Sequence, residues 1–92
     1  MGRKSTEGRI AIHVLEPEIE KCEALAMKAI DAVVGLPIFI DVTKVWDKEM
    51  IEKKFKVQET PGLAINGEVK ATGKFPKKEQ IRKWAKEESN IA

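Results

Sequence analysis

The chain has 92 residues, 35% of them charged and 42% apolar, with a formal net charge of +2. That size and balance specify one small globular domain and exclude a multidomain protein or a strongly basic polyanion binder. A single cysteine excludes an internal disulfide, and no apolar run approaches the length of about 20 residues that a membrane span requires. Residues 1–46 hold six Lys/Arg against seven Asp/Glu, and residues 47–92 hold eleven against eight, so the basic excess is mild and C-terminal. The first residues, MGRKSTEG, lack an apolar segment and read as a short tail over 1–8 rather than a secretory signal. The lone cysteine and the polar start place the expected domain, 9–92, in the cytoplasm.

RIAIHVL (9–15) is expected to be a strand, with Ile10, Ile12 and Val14 on one side and Ala11, His13 and Leu15 on the other. Apolar groups on both sides indicate a central strand covered on both faces. EPEIEKCEALAMKAIDAVVG (16–35) is expected to be a helix, with Pro17 at its first position, acids in its first turn and Gly35 at its end. Ile19, Cys22, Ala26, Ala29, Ile30 and Val33 form its inward stripe, with Leu25 at the edge.

LPIFIDV (36–42) reads as a second strand, and Pro37 implies an edge position. TKVWDKEMIEKKF (43–55) reads as a helix capped by Thr43, with Trp46, Met50 and Phe55 facing inward. Lys56 stands where a glycine would end that helix. GLAIN and EVKATG flank Asn66-Gly67, a hairpin signal because both central residues of a type I′ turn need positive φ. PKKEQIRKWAKEES (76–89) is the last helix, apolar at Ile81, Trp84 and Ala85. The resulting order is β-α-β-α-β-β-α. Its first β-α-β is a right-handed parallel crossover, and the whole makes a four-stranded mixed sheet with helices on both faces.

Three stretches carry a resemblance over about residues 10–85: IHVLEPEIEKCEAL, ETPGLAINGEVKATG and FPKKEQIRKWA. Together they resemble the thioredoxin-like superfamily, and within it the small glutaredoxin-like thioredoxins, or redox-active disulfide proteins. The resemblance implies an α/β thioredoxin-like fold with sheet order 2-1-3-4 and strand 3 antiparallel to strand 1. It also implies a cis Thr60–Pro61 bond. Thr60 and Pro61 would then meet the N-terminus of the first helix, where the family pairs its backbone with a substrate strand. By the same alignment Cys22 takes the second, resolving cysteine of the CxxC motif and Ile19 replaces the first, attacking one. Glu16 and Glu18 stand where the family favours glycines.

Cys22 is open to three readings. It is an inert core side chain, a reactive thiol, or a site of slow glutathionylation or intermolecular disulfide formation. A helix N-terminus and Lys21 favour the thiolate, whereas Glu16, Glu18, Glu20, Glu23 and burial oppose it. His13 is the only histidine; it reads as a half-buried strand residue bonded to a neighbour, and no usual zinc site can be made from one His and one Cys. Lys74, Lys77, Lys78, Arg82, Lys83 and Lys86 form a basic helix, but Glu79, Glu87 and Glu88 interrupt it. It reads as a solvated face, and no nucleic-acid or membrane partner is expected. No glycine pattern would cradle a nucleotide, and no cofactor is expected. Two functions follow. One is thiol–disulfide redox with a protein or peptide thiol or disulfide partner, through a degenerate IxxC motif. The other is a redox-silent module binding a peptide or protein beside Pro61, with Ile19, Thr60 and Pro61 lining the groove.

Overall fold

The computed structural model describes residues 9–89. The expected tail over 1–8 and the last three residues of the expected domain lie outside them. The elements are β1 (Arg9–Leu15), α1 (Ile19–Ala32), β2 (Phe39–Val45), α2 (Lys48–Lys53), β3 (Gly62–Ile65), β4 (Glu68–Thr72) and α3 (Lys78–Ser89). They form one four-stranded sheet in the order β2-β1-β3-β4. β1 pairs β2 in parallel and β3 antiparallel, and β3 pairs β4 antiparallel. Both the order and the strand directions are those expected.

The alternation in β1 sorts the core. Ile10, Ile12 and Val14 join Leu63 and Ile65 of β3 against Cys22, Leu25, Ala26 and Ala29 of α1 and Ile81 and Ala85 of α3. On the other face Leu15 meets Val45, Ile51 and Val57, with Phe55 and Val69 packed beside them. Arg82 joins the two long helices: its Nη1 donates to the carbonyls of Ala32 and Val34 at 3.1 and 2.9 Å, satisfying acceptors left free at the end of α1. The basic helix therefore spends part of its charge on the fold. Lys70 of β4 similarly reaches Glu88 of α3 at 2.8 Å.

The hairpin forms at Asn66 (φ 53°) and Gly67 (φ 86°), the pair of positive values a type I′ turn requires. Lys56 has φ 60°, so it does hold a glycine-like conformation after α2.

Several boundaries differ from expectation. α1 starts at Ile19, with Glu18 as its N-cap, so Pro17 precedes the helix rather than opening it. The cause is Glu16, whose N–H still bonds the sheet by donating to the Val45 carbonyl at 3.0 Å. The helix ends at Ala32 with Val33 as C-cap, and Gly35 (φ 87°) closes the following turn. Ile19 and Ile30 are exposed, and Leu25 and Ala32 take their places in the buried stripe.

β2 lies three residues later than expected, because seven residues of β2 match seven of β1, from Arg9–Phe39 to Leu15–Val45. Thr43 is consequently a strand residue opposite His13. Asp47 caps α2 instead, its Oδ1 accepting from the N–H groups of Glu49 and Met50 at 3.0 and 3.4 Å. This shift turns Trp46 and Met50 outward and buries Ile51. α3 begins at Lys78 rather than at residue 76. His13 is half-buried, but its Nδ1 is buried without a hydrogen-bond partner among the described residues; the ring packs on Phe55 with centroids 5.3 Å apart.

Candidate functional site at one end of the sheet

Strand register defines the site. Val45, Leu15, Gly62 and Thr72 form one row across all four strands. One residue beyond it stand Trp46, Glu16, Pro61 and Gly73. α1 opens three residues after Glu16, at Ile19. The topology thus brings Ile19, Thr60 and Pro61 to the same end of the sheet.

The Thr60–Pro61 bond is cis. The loop around it is held by Gly73, whose N–H is shared between the carbonyls of Glu59 and Pro61 at 3.0 and 2.9 Å. Gly62 follows where space is short: a Cβ there would lie 3.3 Å from Val57 Cγ1 and 3.4 Å from the Ala71 carbonyl oxygen. Between these fixed points the N–H and C=O of Thr60 make no hydrogen bond among the described residues. Thr60 and Pro61 are both partly exposed. A bend at the entrance to β3 with an unused backbone donor and acceptor at a surface is chemically equipped to pair with an extended chain.

Cys22 is elsewhere in character. It is fully buried, and its Sγ–H donates to the Val14 carbonyl at 3.7 Å, a weak sulfur hydrogen bond into the core. Burial pushes its pKa up, and Glu16 and Glu23 add to the rise against a backbone hydrogen bond from Val45 and the charge of Lys44. Such a thiol stays protonated and sheltered, the opposite of a reactive one. Ile19, one turn earlier, is 55% exposed.

Three features escaped the sequence reading. Glu16 is buried, and its Oε2 accepts from the Glu18 N–H at 2.8 Å, closing the turn into α1. Its type and position suggested only a first-turn acid. Trp46 and Met50 are exposed at 49% and 41%, adding two large apolar side chains to this end of the molecule. The signal for them was the Asp47-x-Glu49 start of a short helix, which places Trp46 outside it. Among the described residues no three His, Cys, Asp or Glu side chains gather as metal ligands, and no helix is long and apolar enough to cross a membrane.

The family model described as the thioredoxin domain matches residues 10–86. No curated protein matches the sequence.

Proposed function

The chain belongs to the thioredoxin-domain family, and from that premise we propose that it is a redox-silent module binding an extended peptide or protein segment beside Pro61. The observation that carries this reading is the free backbone of Thr60. A partner strand pairs there through main-chain hydrogen bonds, and its side chains meet the exposed surfaces of Ile19, Trp46 and Met50.

The redox reading of the same motif asks more of the residues. With Ile19 at the attacking position and Cys22 at the resolving one, the chain has a single thiol. A dithiol reductase forms a mixed disulfide and then resolves it with its second thiol. Here an outside thiol such as glutathione would have to supply one of the two, and Cys22 would have to leave the core to react. Burial and a raised thiol pKa both favour the binding role over that chemistry.

Three measurements test the proposal. Cys22 should resist alkylation at neutral pH until denaturant is added, and the protein should not turn over insulin disulfides with thioredoxin reductase when glutathione is left out. Rapid labelling of the native thiol would return the function to redox chemistry. Selection from a displayed heptapeptide library should yield extended binders whose amide shifts centre on Thr60. Trp46→Ala and Ile19→Glu should weaken them by about tenfold each, the loss of about 1.4 kcal/mol. Binders mapping away from Thr60, or none at all, would overturn the proposal.

A further inference from the structure

The two edges of the sheet are unlike. β4 carries Glu68 and Lys70 in an ion pair of 3.2 Å, with Lys70 also held by Glu88, a charged arrangement that discourages further pairing. The edge formed by β2 is flanked by apolar side chains. Phe39 is 76% exposed, and Ile40 and Val42 are only partly covered. Beside it Met27 and Ile30 of α1, and Val34 just beyond its end, face solvent, at 68%, 50% and 64%. Met27, Ile30, Ala26, Val42, Glu23 and Lys44 line one open groove between helix and edge. Of these, Met27 and Ile30 lie on the face of α1 turned away from the core, whereas Ala26 and Val42 form the floor where the groove meets it.

We propose that this edge is the interface of a homodimer, in which β2 pairs antiparallel with β2 of a second copy about a two-fold axis through Val42. The sequence FIDVTKV favours that occupant and that register. Around a two-fold axis perpendicular to the sheet, residues facing each other must lie on the same side of it, so the register moves in steps of two. Centred on Val42, all seven residues overlap: Phe39 faces Val45, Ile40 the stem of Lys44, Asp41 the hydroxyl of Thr43, and Val42 itself. Centred on Asp41, two carboxylates would meet, which is unfavourable. Centred on Thr43, the overlap shrinks and Asp41 faces Val45.

The helices fit the same arrangement. α1 packs over β1 and β2. With strands spaced by about 4.8 Å, the two α1 axes would stand about 10 Å apart, within the roughly 8–10 Å of packed helices. Met27 and Ile30, which share a groove with Val42, then meet their own counterparts at the axis. Glu23 and Lys44, 3.6 Å apart, form a polar rim. Seven strand residues run about 23 Å, and the molecule is 16 Å across at its narrowest. A seam of that size buries roughly 1,000 Å² in total, the low end for specific association. The result is a weak dimer with an eight-stranded sheet. Its Thr60 sites lie at opposite ends, both open.

Sedimentation equilibrium of the full chain tests this directly. The mass should rise from 10.3 kDa toward twice that value, with half-dimerisation between about 10 and about 100 µM. A monomer up to about 1 mM overturns the proposal. Val42→Lys sets two ammonium groups against each other across the axis and should weaken the dimer at least about tenfold; an unchanged dimer in a folded variant overturns it. Cysteine substitution decides independently of that variant. Val42→Cys should cross-link to itself on mild oxidation, because facing residues bring their Cα atoms within disulfide range. Phe39→Cys should not, because its counterpart lies six residues away, about 20 Å along the seam. Cross-linking at 39 but not at 42 would refute the register and with it the interface.

Discussion

On the face of the sheet covered by α1 and α3, thirteen buried side chains form one cluster among the described residues; under α2, four do. The first face is closed by two helices of 14 and 12 residues, the second by one of six. On the proposed function, this difference separates the part that stabilises the fold from the part that binds. Cys22 belongs to the deep face, between Leu25 and Val14, so packing accounts for its presence without any thiol chemistry. The thin face leaves room for features a deep core would not tolerate: a histidine nitrogen without a partner among the described residues, and Trp46 and Met50 in solvent. The proposed binding end, at Thr60 and Pro61, follows the strand row that carries Leu15 and Val45 of this thin face.

The largest expected effect tests the depth of the first face. Leu25→Ala should cost about 3 kcal/mol, because a side chain held among α1, α3 and the sheet leaves a cavity its neighbours cannot fill. Ile51→Ala should cost about 2 kcal/mol, although Ile51 is equally buried, since the short α2 can settle onto the gap. Urea denaturation of the two variants measures both. Equal losses would mean that the two faces are packed alike and would remove the basis of the comparison.

The parts of the fold that were legible in the sequence are those set by local stereochemistry. Asn66-Gly67 requires positive φ, and RIAIHVL is β-branched with apolar groups on both sides, as a covered central strand is, so the hairpin and β1 stand where expected. The β2–α2 boundary was not legible, because Thr43 is both a good N-cap and a good strand residue. Its choice was made by pairing with His13, a contact 30 positions away in sequence. That one misplacement carried Trp46 and Met50 inward. The site divides the same way. Thr60 and Pro61 were proposed through resemblance to a family, whereas the burial of Glu16 depends on where β2 ends, which only the tertiary structure supplies.

A smaller effect sharpens the comparison at the thin face. Asp47 holds the start of α2 through two backbone N–H groups. Asp47→Ala should cost about 1 kcal/mol, and in a helix of six residues the loss should be felt locally. Hydrogen exchange should quicken at Ile51 and Val57, which bond into that turn, while amides of β1 stay protected. If protection falls equally on both faces, α2 is not the independent cover described above.

The smallest effect is zero at neutral pH and appears only in alkali. Burial raises the pKa of Cys22 above that of an unfolded thiol. The folded state therefore holds the thiol proton more tightly than the unfolded state does. The resulting stability is complete below the unfolded thiol's pKa and is lost as the pH climbs from there through the raised folded value. Urea midpoints of the native protein and of Cys22→Ala, taken from about pH 7 to about pH 10, isolate this contribution, because the lysines titrate in both and cancel in the difference. The variant should start less stable, since it leaves a small cavity in the deep face, and the gap between the two should narrow as the pH rises. A gap that stays constant would mean that Cys22 meets solvent as freely when folded as when unfolded. In that case its thiolate would be available after all, and the deep face would not be sealed at α1.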